Sequence, residues 1–264
     1  MLFVAVVALV GQSADISPLG SELIASVTLK VVARRVKREK TKYLAGTRRI
    51  LNLSEREKKP YRVRVEGKKF VVFPGVFSPK YFRDTKFFAR HVRVNPGEDF
   101  LEIGSGTGII SVLAAIRGAR RVVAVDVNPT AVRNTRENAR LHRVAKRERF
   151  HVYLGDVYVP LGRKQKFDVI FWNTPFGYVR RKNISLLERA VFDPGYRSTT
   201  KFVLGARRHL KPGGRLLVGF SSTLGHLSLL RKLLREQGFK PRLLKEIRSR
   251  ETHPAKFQLF EARL

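Results

Sequence analysis

Three groups of residues in this chain have the types and spacing that chemistry needs. The first runs from Asp99 to Gly108, Asp-Phe-Leu-Glu-Ile-Gly-Ser-Gly-Thr-Gly. An apolar strand feeds glycines at alternate positions, Gly104, Gly106 and Gly108, and a helix is predicted from Ile109. Glycine lets backbone N–H groups approach a ligand that a Cβ would push away, and the helix start adds the positive end of its dipole. Strand, glycine turn and helix together make a nucleotide-type site. The dinucleotide fingerprint G-x-G-x-x-G would need Gly or Ala at position 109, and Ile109 excludes it. An acid, Glu102, stands near the end of the strand.

The second group is Val122 to Asp126, a buried strand ending in a carboxylate, followed by Asn128 as N-cap and Pro129 in the first helical turn. An acid about twenty residues past a glycine loop can take both hydroxyls of a ribose. Without that loop it reads equally as a solvated strand-end acid. The third group closes the strand Phe167 to Trp172 with Asn173-Thr174-Pro175-Phe176. An amide or exocyclic amine has two N–H donors and a delocalised lone pair. An Asn oxygen and a neighbouring backbone carbonyl can accept both hydrogens and hold the nitrogen for attack. An aromatic can stack on its planar face. The plain alternative is a turn after a strand, since Asn and Pro are turn residues.

With Glu102 and G-x-G-x-G rather than the dinucleotide spacing, the chain resembles the class I S-adenosylmethionine (AdoMet) methyltransferases. Asn173-Thr174-Pro175-Phe176 is similar to the Asn/Asp-Pro-Pro-Tyr/Phe signature of members that act on a planar nitrogen, with Thr174 in place of a Pro. The string Gly75-Val76-Phe77-Ser78 resembles the small-subunit ribosomal RNA guanine-amine methyltransferases, and Asp84-Thr85 resembles the release-factor glutamine methyltransferases. The resemblance covers residues 74–264. It implies a Rossmann-like α/β fold, a seven-stranded mainly parallel sheet with helices on both faces, closed by an antiparallel hairpin. It implies AdoMet as the cofactor. Gly104, Ser105, Gly106 and Gly108 would shape the methionine and ribose cradle, beside Glu102. Asp126 would hold the ribose, with Val127 next to it. Asp156 would accept from the adenine amine, with Val157 packed on the ring. Asp84 and Thr85 would fold over the methionine end. Asn173 and the Thr174 carbonyl would position the acceptor nitrogen, Pro175 would shape the turn, and Phe176 would stack.

Formal charge is +33, with 54 Lys and Arg against 21 acids, which implies a polyanionic partner. RNA or a ribonucleoprotein leads. Three functions stand open: methylation of an exocyclic base amine of RNA, methylation of a protein glutamine, and RNA binding on a methyltransferase fold without catalysis. There is no cysteine, so no disulfide framework, and six scattered histidines show no metal-binding spacing. No metal is expected. The apolar run Leu2–Val10 is too short to span a bilayer, and no Lys or Arg precedes it as a secretion signal would require. A cytoplasmic protein without a membrane partner is the expectation. Oligomeric state is left open.

These groups need elements to position them. Residues 1–60 are expected to form a basic N-terminal extension and residues 61–264 the methyltransferase domain. Within that domain a hairpin and entry helix cover 61–98 and the AdoMet-binding core covers 99–264. Lys30 to Arg49 reads as a basic amphipathic helix, either phosphate-contacting or a solvated face, and Ser54–Lys59 as a connector. Tyr61–Val65 and Phe70–Phe73 flank a Glu66-Gly67 turn, and a helix is predicted over Lys80–His91. Strands are predicted at 99–103, 122–126, 150–154, 167–172 and 214–220, and helices at 108–117, 129–142, 197–210 and 225–237. That alternation implies a parallel sheet covered on both faces. Gly238 closes the last helix, ahead of strands at Lys240–Ile247 and Lys256–Leu264. Phe192-Asp193-Pro194-Gly195 reads as a turn, with a border of the substrate pocket as the alternative, and Trp172 as core.

Overall fold

The structure is a computed structural model describing residues 41–146, 148–181, 183–249 and 255–264. The expectations for the Leu2–Val10 run and the basic stretch before residue 41 lie outside the described residues. The chain divides into a unit of residues 1–43 and a compact unit from Leu44 to Leu264. The compact unit therefore begins ahead of the boundary expected at Tyr61. The reason is burial: helix α1, residues 41–55, places Leu51 in an apolar cluster with Leu187, Val191 and Phe192. Burying a side chain of that size stabilises by about 1.5–3 kcal/mol. The expected connector from Ser54 starts inside this helix, because Ser54 is itself buried.

The hairpin forms as expected, from β1 (Tyr61–Val65) and β2 (Lys68–Val72). Glu66 and Gly67 both have positive φ, as a tight two-residue turn demands. The hairpin is pinned to a helix, α4 (Pro129–Leu141), by two buried amides. Asn134 and Asn138 accept from the N–H groups of Phe73 and Val71 and donate to the Val71 carbonyl. Helix α2 is shorter than expected, Asp84–His91; the residues before it form turns on Ser78, whose carbonyl accepts from Tyr81 and Phe82.

The central sheet holds β3 (Asp99–Ile103), β4 (Arg121–Asp126), β5 (Phe150–Leu154), β6 (Phe167–Asn173), β9 (Leu210–Ser221), β10 (Lys240–Arg248) and β11 (Lys256–Arg263). Its order is β10-β11-β9-β6-β3-β4-β5, seven strands. The pairings among β5, β4, β3, β6 and β9 are parallel, and those of β11 with β9 and β10 are antiparallel. β3 is buried along its whole length, as a central parallel strand must be. Helices α3 (Ile109–Ile116), α4, α5 (Arg197–His209) and α6 (Leu227–Glu236) connect the strands. This is the Rossmann-like fold the motifs imply. Strand order reverses between β3 and β6, and the crevice outside their C-terminal ends is where open α/β sheets bind ligands.

One element was not foreseen. Gly177–Val179 (β7) pairs in parallel with Phe192–Pro194 (β8), so the segment expected as a turn is a short strand. Asp193 is buried there and accepts from the N–H groups of Ser198 and Thr199, capping the start of α5.

Candidate active site

A cavity of about 370 Å³ opens at the C-terminal ends of β3, β4 and β6. Its end at the glycine turn, where the resemblance implies the cofactor, is made largely of backbone. Gly106 has φ +54°, and a Cβ there would meet nothing within 4 Å, so this turn faces open space. Its N–H donates to Asp126 Oδ2 at 2.7 Å, and the Asn128 N–H donates to Asp126 Oδ1 at 2.8 Å. Gly108, with φ +74°, is different: a Cβ would come within 2.7 Å of Thr135, so the loop and α4 touch at that point. Burial pushes the Asp126 carboxyl up, against the three backbone N–H groups that favour its charge. Glu102 accepts from both the N–H and the hydroxyl of Ser111, and burial pushes it up to about 8.

Thr85, Glu102, Gly104, Ser105, Gly106 and Asp126 line the cavity. Val127, Asp156, Val157, Asn173 and Pro175 line it as well. Asp156 forms an ion pair with Lys201, which also lines the wall. Val157 has φ +52°, a strained value for a β-branched residue, worth on the order of 1–3 kcal/mol.

The opposite end, at Asn173, is made of side chains. Asn173 ends β6, and its Nδ2 donates to Asp84 Oδ2 at 2.8 Å. A carboxylate only accepts, so this bond fixes which end of the amide faces away from α2. The other end, Asn173 Oδ1, is buried with no hydrogen-bond partner. A buried acceptor left unmatched costs about 1–3 kcal/mol, so it marks a place where a donor belongs. Asp84 Oδ1 accepts from the Thr85 N–H. Asp84 is thus aimed at Asn173, whereas the resemblance implied a place over the cofactor; only its neighbour Thr85 reaches the cavity.

One more expectation is corrected. Phe176 was to stack on the substrate, but its ring packs against Phe220 and Phe257, with centroids 6.4 and 6.2 Å away, behind the cavity. The Phe176 carbonyl accepts from the Tyr196 hydroxyl, which holds the turn in that position. Trp172, expected as plain core, is buried yet lines the cavity, and a Cβ on Gly104 would approach its Nε1 to 2.5 Å. Gly219 was missed altogether. It lies opposite Asn173 in the sheet, where a Cβ would strike the Phe88 ring at 2.7 Å. Thr174 donates twice to the Gly219 carbonyl, from its N–H at 3.1 Å and its hydroxyl at 2.8 Å.

These residues fit AdoMet: an open glycine turn, a buried acid held by N–H groups beside it, and an unmatched acceptor at the far end. Among the described residues no group of three His, Cys, Asp or Glu side chains could hold a metal ion, and no helix is long and apolar enough to cross a membrane.

Comparison with known proteins agrees with this geometry. The family model described as methyltransferase small domain matches residues 67–240. A Methanocaldococcus jannaschii chain, provisionally named a protein N5-glutamine methyltransferase, is 31% identical over 182 residues, 67% of this chain and 88% of its own length. A release factor glutamine methyltransferase of Geobacter sulfurreducens is 31% identical over 215 residues, 76% of this chain and 67% of that one. The Aquifex aeolicus release factor glutamine methyltransferase is 33% identical, and the match spans 55% of this chain and 53% of that one. Among solved structures, the T. thermophilus 16S rRNA N2 methyltransferase in complex with AdoMet and guanosine shares the fold. Its TM-score is 0.58 at 22% identity, covering 77% of this chain and 50% of that one.

Proposed function

The chain belongs to the methyltransferase small domain family and is an AdoMet-dependent methyltransferase, and from that premise we propose that it methylates the side-chain amide nitrogen of a protein glutamine. The observation that carries this reading is the unmatched Asn173 Oδ1, held facing away from α2 by Asp84. It would accept one N–H of the incoming amide, and the Thr174 carbonyl would accept the other. Bound AdoMet supplies an electrophilic methyl group on a sulfonium. Asn173 and Thr174 orient the nitrogen toward that methyl, and proximity supplies most of the rate. No residue would need to remove a proton first: the N–C bond would form as the methyl–sulfur bond breaks, the sulfur would leave as a neutral thioether, and the nitrogen would then give its proton to solvent. In this reading Asp126 takes the ribose hydroxyls and Asp156 the adenine amine. The catalytic domain, residues 61–264, lies within the compact unit Leu44–Leu264.

A glutamine is favoured over a base amine by Phe176. A base would gain from a stacking partner, and this ring is packed into the core instead. The relatives named as glutamine methyltransferases favour it too. The RNA reading keeps two supports, the net charge of +33 and the Gly75-Val76-Phe77-Ser78 string. AdoMet is an intracellular cofactor, so the reaction belongs in the cytoplasm. The test is transfer of labelled methyl from AdoMet into fractionated cell material. Label in protein, recovered as methylglutamine on hydrolysis under mild conditions, supports the reading. Label in nuclease-sensitive RNA overturns it.

A further inference from the structure

We infer that the mouth of the cavity is a phosphate-gripping collar, built on Arg189 and Arg197, that binds RNA beside the methylated group. The inference rests on the reading above only in where the collar stands. It names what surrounds the target: a ribonucleoprotein.

Arg189 lies in the short turn of helix Glu188–Ala190 and Arg197 begins α5. Both are exposed and both line the cavity, and among the described residues neither side chain has an ion pair or hydrogen bond. The acids around them are already engaged. Glu102 is held by Ser111, Asp126 by the Gly106 and Asn128 N–H groups, Asp156 by Lys201, and Asp193 by the start of α5. Glu188, next in sequence to Arg189, pairs with Arg181. A third guanidinium, that of Arg48 on α1, lies 6.0 Å over the ring of Phe192, which lines the same wall.

Neither reactant accounts for this charge. A glutamine amide is neutral. AdoMet carries one carboxylate against a sulfonium and an ammonium, so it is a net cation and could occupy one arginine at most. Guanidinium forks match phosphate oxygens two at a time. A chain with 54 basic residues against 21 acids is built to meet many phosphates rather than one acidic side chain. Hence RNA is favoured over an acidic peptide.

The test measures binding of a fluorescein-labelled RNA hairpin to the full chain across a range of salt. R189S/R197S is compared with R207S/R208S, which removes the same charge from exposed positions on α5 that do not line the cavity. Each phosphate contact contributes about 0.7–0.9 to the slope of log affinity against log salt, so the collar variant should flatten it by about 1.5 and the control by much less. R189K/R197K should keep most of the slope yet bind less tightly, because the fork is lost. Equal slopes for both serine variants would overturn the inference, leaving only a net-charge effect. A drop in AdoMet affinity with an unchanged RNA slope would also overturn it, since the arginines would then hold the cofactor's carboxylate. So would an unchanged RNA slope together with lost methylation of an acidic peptide. None of these readouts depends on which atom is methylated, so failure here and failure of the glutamine reading are separable.

Discussion

The two ends of the cavity are built from different material. At the cofactor end, backbone N–H groups of Gly106 and Asn128 hold the Asp126 carboxylate, and the glycine turn exposes its own backbone to the open space. At the acceptor end, a side chain from β6 meets a side chain from α2 that is 89 residues away in sequence. A backbone-built site is fixed once its strand, turn and helix form. A side-chain site is fixed only after distant elements dock. The cofactor end should therefore resist substitution of its neighbours, and the acceptor end should fail when any one member is removed.

Asn173→Ala should break that comparison most sharply. It removes the unmatched acceptor and its bond to Asp84, but touches no part of the glycine turn. Turnover should fall by about a hundredfold or more while AdoMet affinity changes little, because the lost contact acts mainly on the transition state. Single-turnover kinetics beside calorimetry would show it. An active Asn173→Ala enzyme would remove the planar-nitrogen chemistry. Asp126→Ala should do the reverse, weakening AdoMet by about 1–3 kcal/mol through unpaired ribose hydroxyls, and more than it slows the bound complex. Unchanged affinity in the folded variant would mean that another group holds the ribose.

The same contrast governs what the sequence reveals. Glycine spacing after an apolar strand has few alternative explanations, so Gly104, Gly106 and Gly108 locate β3, α3 and the sheet around them. Asp126 follows from order along the chain. Asn173 is legible as a residue type, but its orientation is not, because that depends on Asp84. Phe176 misleads for a related reason. An aromatic after Asn-x-Pro is equally suited to stacking on a ligand or filling a core, and Phe220 and Phe257 decide the matter from other strands. Gly219 and Asp193 carry no local pattern at all. Gly219 matters because Phe88 approaches it, and Asp193 because the N–H groups of α5 need a cap. α1 runs past Ser54 because Leu51 has somewhere to pack, which no window of sequence displays.

A pH-dependent effect sharpens the cofactor end. Glu102 has a folded pKa of about 8, raised by burial from the ordinary carboxylate value of 4.5. Between those values the native state binds the extra proton, so stability falls as pH rises and levels off above about 8. The limiting slope for one proton is about 1.4 kcal/mol per pH unit. Denaturant unfolding of Glu102→Gln across this range should lose that slope, with the variant gaining on the parent toward alkaline pH. Parallel curves for the two proteins would show that Glu102 is ionised in the fold and that its carboxylate, not its neutral form, meets Ser111.

The smallest expected effect concerns the place where the acceptor end borrows from the backbone. A Pro at position 174 would have no N–H, yet Thr174 uses both its N–H and its hydroxyl on the Gly219 carbonyl. That double bond of donors ties the end of β6 to β9 just where Asn173 must be held. Thr174→Val keeps the shape and the N–H and loses only the hydroxyl. Since Gly219 retains one donor, no carbonyl is orphaned, and the loss should be about 1 kcal/mol of unfolding free energy. Thr174→Pro loses both donors and should cost more than Thr174→Val. The comparison is made by denaturant unfolding of the two variants with and without AdoMet. If Thr174→Pro proves as stable as the parent, the turn is held by the packing of Phe176 and Trp172 alone. The Gly219 contacts would then be incidental to how Asn173 is aimed.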